Sequence, residues 1–292
     1  MLSYIDSVGG IVKNVIKMIG LVALIGFSFF YTDRVVEVIR EEDKIMIELE
    51  SVKDIYKVDP IDATVVSNTI IPGLEGRSIN IEQSYKKMKS NNVFNKNLIV
   101  YDTVSPNISL RTNKDKFIIK GNNNKQMVSL IFILDHDKFL DKIEDILDSK
   151  GVTANYFVDY DYLISYSTKI KEMDNREFYS YGSGGEYTPD NLLFSNNLIS
   201  RISNHDAVYC LASDMGQKTL DLCYENDLYT ITPDIIGDDN PYMAVKDNLS
   251  SGSMILLSMN QDTIKELGTI IDYIKGKGFK IGTLSSLLSE TL

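Results

Sequence analysis

The run Met127-Val128-Ser129-Leu130-Ile131-Phe132-Ile133-Leu134 is apolar but for one serine, and it limits what the chain can fold into more than any other stretch. Its length and lack of alternation describe a strand buried on both faces, as in a parallel sheet covered by helices. Asp135-His136-Asp137 and then an amphipathic segment follow it. In α/β folds the C-terminal tip of such a strand is where chemical groups are placed. The residues after Phe132 therefore bear directly on what the chain can do, and Ile133 and Leu134 carry no reactive group.

Beyond Gln126 a regular alternation sets in. Strand-like runs at Val128 to Leu134, Asn155 to Val158, Phe178 to Tyr181, Ala207 to Cys210, Tyr229 to Ile231, Met254 to Ser258 and Phe279 to Ile281 are separated by helical ones. The helical runs are Lys138 to Ser149, Leu163 to Met173, Leu192 to Ile202, Gln217 to Glu225, Asp262 to Lys275 and Leu284 to Leu288. Seven strands alternating with helices predict an α/β fold whose parallel sheet is closed, or nearly closed, into a barrel over residues 126–292. Leu256, in the sixth strand, is expected to be buried. Gly151 stands where a glycine should end the first helix.

The residues before the barrel have a different texture. No charge occurs from Met18 to Thr32, and with Ile11 to Lys17 in front the helix-compatible stretch reaches 22 residues, residues 11–32, when Lys13 and Lys17 snorkel. Those two lysines precede the run and acidic residues follow it. The expectation is a single-pass span in the cell membrane, N-terminus cytoplasmic and the body extracytoplasmic. Phe27-Ser28-Phe29-Phe30-Tyr31 offers no small-x-small cleavage site, which favours an uncleaved signal anchor. Residues 33–58 are charge-rich, with apolar positions at Val35, Val38, Ile45, Leu49, Val52 and Tyr56 in helical spacing, and read as a stalk helix ended by Asp59-Pro60. Residues 59–121 show short β-like runs around one helix near Asn80 to Lys89, a small α+β module. Asn122-Asn123-Asn124 reads as the linker to the barrel.

A net charge of -11 and a pI near 4.8 give nucleic-acid phosphates no general attraction to the chain. Cys210 and Cys223 lack CxxC spacing, so a metal or redox motif is unsupported; one disulfide between them stays open.

Three phrases resemble a known family. Val152-Thr153-Ala154-Asn155-Tyr156-Phe157-Val158 is similar to the "V-x-A-T-F-F-V" strand of polysaccharide deacetylases of NodB homology, which fold as a distorted (β/α)7 barrel. Ser251-Gly252-Ser253-Met254-Ile255-Leu256-Leu257 resembles their "P-G-S-I-I-L-L-H", and Gly278-Phe279-Lys280-Ile281-Gly282-Thr283-Leu284 their closing "G-Y-x-x-x-T-L". Upstream, Ile70-Ile71-Pro72-Gly73-Leu74-Glu75-Gly76-Arg77-Ser78-Ile79-Asn80 resembles a segment of peptidoglycan-binding modules of Gram-positive surface proteins; a spacer reading stands beside it.

What the deacetylase resemblance implies is a metal-dependent site: an aspartate pair after the first strand, "H-S/T-x-x-H", and a late histidine as general acid. Here the aspartate positions fall on Ile133 and Leu134, the histidines on Tyr181 and Gly185, and the late histidine on Ser258, while "R-P-P" falls roughly on Cys210-Leu211-Ala212. The family set uses three histidines; this chain has only His136 and His205. The expectation is a degenerate family member without metal or catalytic residues, binding cell-wall glycan such as peptidoglycan, or a wall-synthesis partner protein. Tyr156, Tyr160, Tyr181, Tyr187, Tyr209 and Asn260 are the residues expected to line the mouth and hold it. Two alternatives stand beside it. One is a surviving deacetylase using a divalent metal such as zinc on Asp135, His136 and Asp137 with Glu186 or Asp214; the other is a structural scaffold. The plain reading of the same acidic cluster is a polar loop in which Asp135 or Asp137 caps the next helix. His205 reads as a loop residue, and Ser183 among its glycines as a flexible turn.

Overall fold

The structure is a computed structural model that describes residues 18–28, 43–173, 175–203, 205–212 and 215–291. Its strands are β1 (Thr64–Val66), β2 (Thr69–Ile71), β3 (Gly76–Ile79), β4 (Tyr101–Val104), β5 (Phe117–Ile118), β6 (Met127–Leu134), β7 (Asn155–Val158), β8 (Glu177–Ser180), β9 (Tyr209–Leu211), β10 (Tyr229–Ile231), β11 (Ile235–Gly237), β12 (Met254–Leu257) and β13 (Lys280–Ile281). The labelled helices are α1 (Lys44–Tyr56), α2 (Ile81–Lys89), α3 (Leu140–Lys150), α4 (Tyr160–Glu172), α5 (Pro189–Ser203), α6 (Gln217–Glu225), α7 (Pro241–Asn248), α8 (Gln261–Gly276) and α9 (Leu284–Leu288).

Residues 18–28 are also helical and exposed. Among the described residues no helix is long and apolar enough to cross a membrane. The remainder of the expected span, 11–17 and 29–32, lies outside them, as does the stalk before Asp43.

The chain divides into two compact units. In the first, the periodic apolar positions of α1 do what their spacing implies: Ile45 and Leu49 are buried with Ile79, Tyr85 and Met88. Asn80 caps α2, its side chain accepting from the N–H of Gln83 at 2.8 Å. The helix expected within residues 33–58 is thus present over Lys44–Tyr56, and its apolar stripe packs inside a small unit.

The second unit holds residues 59–76 and those from 104 onward, so the expected 59–121 module is split and the expected boundary at Asn122 is not where the units part. The physical reason is edge pairing. β5 lies parallel to both β2 and β10, and β1 pairs antiparallel with β2, giving the order β1-β2-β5-β10-β9. Gly73 is needed on the way, because a Cβ there would stand 2.3 Å from the Ile61 carbonyl oxygen.

The other sheet runs β11-β12-β6-β7-β8, all parallel, with β13 beside the start of β6. Val128, Leu130, Ile131, Phe132 and Leu134 are buried, as a strand covered on both faces requires. The seven expected strands are present, and the parallel α/β architecture fits a barrel of NodB type. Its strands are nevertheless shared between two sheets, with no ladder from β8 to β9 or from β10 to β11 among the described residues. β11 and α7 were not expected. A disulfide joins Cys210 on β9 to Cys223 on α6. Leu256 departs from expectation: Met254, Ile255 and Leu257 are buried, but Leu256 is partly exposed.

Candidate functional site

Because β6, β8, β11 and β12 are linked by parallel pairing, their C-terminal ends open on one side of the sheet. A cleft of about 380 Å³ lies there. Ile133, Ile236, Leu256, Leu257 and Met259 line its apolar part, and Asp135, His136, Tyr181, Gly184 and Ser258 the rest. Three of the five positions that the family resemblance singles out, Ile133, Tyr181 and Ser258, thus meet in one cleft. Leu134 does not, since it is fully buried in the core.

Gly185 is locked by its neighbour. It has φ +88°, and a Cβ there would stand 2.9 Å from the Tyr181 hydroxyl. Burial, aided by the Asp135 and Asp159 carboxylates, raises the Tyr181 phenol above its ordinary pKa. It stays protonated at neutral pH as a hydrogen-bond donor at the cleft wall.

Asp159 was not singled out from sequence, although an aspartate between a strand and a helix is an N-cap signal. It is buried, and its side chain caps α4 through the N–H of Asp161 at 2.9 Å. Its other oxygen accepts from Gly184 N–H at 2.7 Å, and the Tyr160 N–H donates to the Gly182 carbonyl at 2.7 Å. One carboxylate thus fixes the glycine turn of the cleft to the start of α4.

The expected metal alternative is not assembled. His136 and Asp135 are about half exposed and 3.7 Å apart, while Asp137 turns to Lys169 at 3.6 Å. Glu186 is exposed in the turn closed by the Ser183–Glu186 bridge, and Asp214 lies outside the described residues. Among the described residues no three His, Cys, Asp or Glu side chains converge, and a metal does not fit this set. Neither aspartate caps α3; Phe139 holds that position without a side-chain bond, and Leu140 N–H donates to the Asp137 carbonyl at 3.1 Å. His205 accepts the Phe178 N–H at Nε2, 2.9 Å, and so braces β8.

The expected glycan residues divide. Tyr156 is fully buried between Phe132 and Phe178, its hydroxyl bonded to Glu144 of α3, and Tyr209 is buried against Tyr179 and Tyr229. Both face the packed interior, so neither lines the mouth. Tyr187 is buried too, with its hydroxyl between β8 and β9. Asn260 caps α8 through the N–H groups of Asp262 and Thr263 and donates to the Asp238 carbonyl at 3.1 Å. Tyr160 is partly exposed, edge-on to Phe194 at 5.6 Å.

No family model matches the sequence. The uncharacterized protein YlxY of Bacillus subtilis (strain 168) is 27% identical over 278 residues, 88% of this chain and 87% of that protein. Among solved structures, a CE4 family pseudoenzyme from Bacillus anthracis superposes with TM-score 0.63 at 21% identity, over 86% of this chain and 96% of that one. A mutant of that pseudoenzyme with restored enzymatic activity gives 0.64 at 21%, over 85% and 99%. PdaA of Bacillus subtilis, a family 4 carbohydrate esterase, gives 0.52 at 16%, over 61% and 86%. At these identities the likeness establishes the fold: the chain has the fold of the CE4 polysaccharide deacetylases.

Proposed function

We propose that the chain is a membrane-anchored, extracytoplasmic deacetylase-like protein that does not hydrolyse its ligand and recognises cell-wall glycan in the cleft at the strand tips. The observation that carries this reading is the meeting of Ile133, Tyr181 and Ser258 in one cleft, where the family resemblance calls for a carboxylate and two histidines. An apolar floor of Ile133, Leu256 and Met259 suits the face of a sugar or an acetamido methyl, and the Tyr181 and Ser258 hydroxyls suit its polar edge. The structural neighbours support the choice of ligand, since one is a peptidoglycan N-acetylglucosamine deacetylase, TM-score 0.53 at 19% identity. They support the loss of chemistry as well, since another is a pseudoenzyme. Anchoring rests on the uncharged run from Met18 to Thr32 and the lysines before it.

The test uses the purified full chain with zinc or cobalt and acetylated chitooligosaccharide. We expect no acetate release above the blank, no metal-dependent rise of the thermal midpoint, and saturable binding of peptidoglycan fragments weakened by Tyr181→Ala. Acetate release, or a metal-dependent rise abolished by Asp135→Ala, overturns the reading.

A further inference from the structure

The cleft is at the small end of the range for ligand pockets, and what lies across its rim is informative. The wall on the β8 side is the turn Gly182-Ser183-Gly184-Gly185. At Gly184 an added Cβ would meet nothing within 4 Å, so this wall is low and bare backbone faces solvent there. On its far side the turn is tied to the start of α4 by the Asp159–Gly184 and Tyr160–Gly182 hydrogen bonds.

At that point Tyr160 meets Phe194 of α5 edge to face. Phe194 is 46% exposed and Leu193 beside it 63%, and Ile164, one turn on from Tyr160, is 48% exposed. Four large apolar side chains thus stand exposed or half-buried on two helices packed together, and Tyr160, the first residue of α4, is bonded through its backbone to the turn that walls the cleft. A phenyl ring this exposed, steadied by a tyrosine edge, has no packing role that requires its exposure.

We infer that Tyr160 and Phe194 form a second carbohydrate-stacking surface, continuous with the cleft across the glycine turn, so that the protein binds a glycan strand longer than the cleft alone can hold. The inference rests on the glycan reading of the cleft and adds a preference for chain length. A polymer of sugar rings suits this surface better than a compact ligand, because Gly184, which lines the cleft, is exposed and carries no side chain between the cleft and the start of α4. Aromatic rings present flat apolar faces to such rings, while Asp161 and Asn197, both exposed on the same two helices, are placed for hydroxyl contacts.

The experiment measures binding of N-acetylchitobiose and N-acetylchitohexaose to the full chain and to Phe194→Ala and Phe194→Trp. We expect the wild type and Phe194→Trp to prefer the hexasaccharide, and Phe194→Ala to lose about fivefold in affinity for it, the scale of one aromatic contact, with disaccharide affinity unchanged. An unchanged hexasaccharide affinity in Phe194→Ala overturns this inference alone. Failure of the wild type to bind either oligosaccharide overturns the glycan reading and this inference with it.

Discussion

The hydroxyl of Tyr187 accepts the backbone N–H of Leu211 at 3.0 Å and lies 3.0 Å from the carbonyl of Ser180. A side chain thereby stands where strand-to-strand hydrogen bonds would join β8 to β9. Removing only that oxygen, in Tyr187→Phe, leaves a buried N–H and a carbonyl without this partner. A loss of about 1–3 kcal/mol is expected, read as a lower denaturation midpoint with unchanged far-ultraviolet circular dichroism. Unchanged stability would show that the seam is held by packing alone.

Arg176 is a buried cation between Glu144, largely covered, and Asp148, largely exposed. Its side chain is 4% exposed and binds Glu144 at 3.0 Å and Asp148 at 2.6 Å. Arg176→Ala strands the Glu144 carboxylate beside Tyr156 and should cost roughly 3 kcal/mol. Arg176→Lys should recover only part of this, lacking the fork that reaches both carboxylates. Urea unfolding of the two variants beside the wild type measures it.

Buried phenols make the fold sensitive to base. Burial pushes Tyr162 up to about 12, and holds Tyr156 and Tyr179 well above the ordinary tyrosine value. A folded-state pKa above the unfolded one gives stability that is complete below about pH 10 and is lost as pH rises toward 12. Tyrosinate absorbance should therefore develop in two stages, exposed tyrosines first and the buried group together with the loss of circular dichroism. A single non-cooperative titration with the fold intact would contradict this.

Neighbouring residues on β12 should respond differently to the same charge. Ile255→Asp places a carboxylate in the core and should cost more than about 3 kcal/mol, while Leu256→Asp faces the cleft and should cost about 1 to 2. Thermal melts of both variants check the order.

Much of this architecture was legible in the sequence because helical and strand periodicities alternate so regularly after Gln126. The positions that come together at the strand tips were legible through the family phrases around them. Which way a tyrosine points was not. In a strand buried on both faces the apolar run hides its own parity, so nothing at Tyr156 or Tyr209 told inward from outward. β5 shows a different limit: Phe117 to Ile119 reads as a β-like run of the small module, but two or three residues say nothing of their partners, and pairing with β2 and β10 is what puts Phe117 and Ile118 in the sheet of the second unit. α7 was missed although a signal for it exists: Asn240-Pro241 places proline at the first turn of the helix.

The double pairing of β5 also governs how the molecule can be cut. A fragment begun at the asparagine-rich stretch, where composition invites a boundary, would lack Phe117 and Ile118 and leave one edge of β10 open. It would also lose the Gly73 and Leu110 N–H groups that bind the Glu290 carboxylate. A bare parallel edge recruits strands from other chains, so such a fragment would be prone to self-association; and because Ile79, Tyr85 and Met88 bury Ile45 and Leu49 of α1, recombinant work on the barrel needs the chain from Asp43 onward.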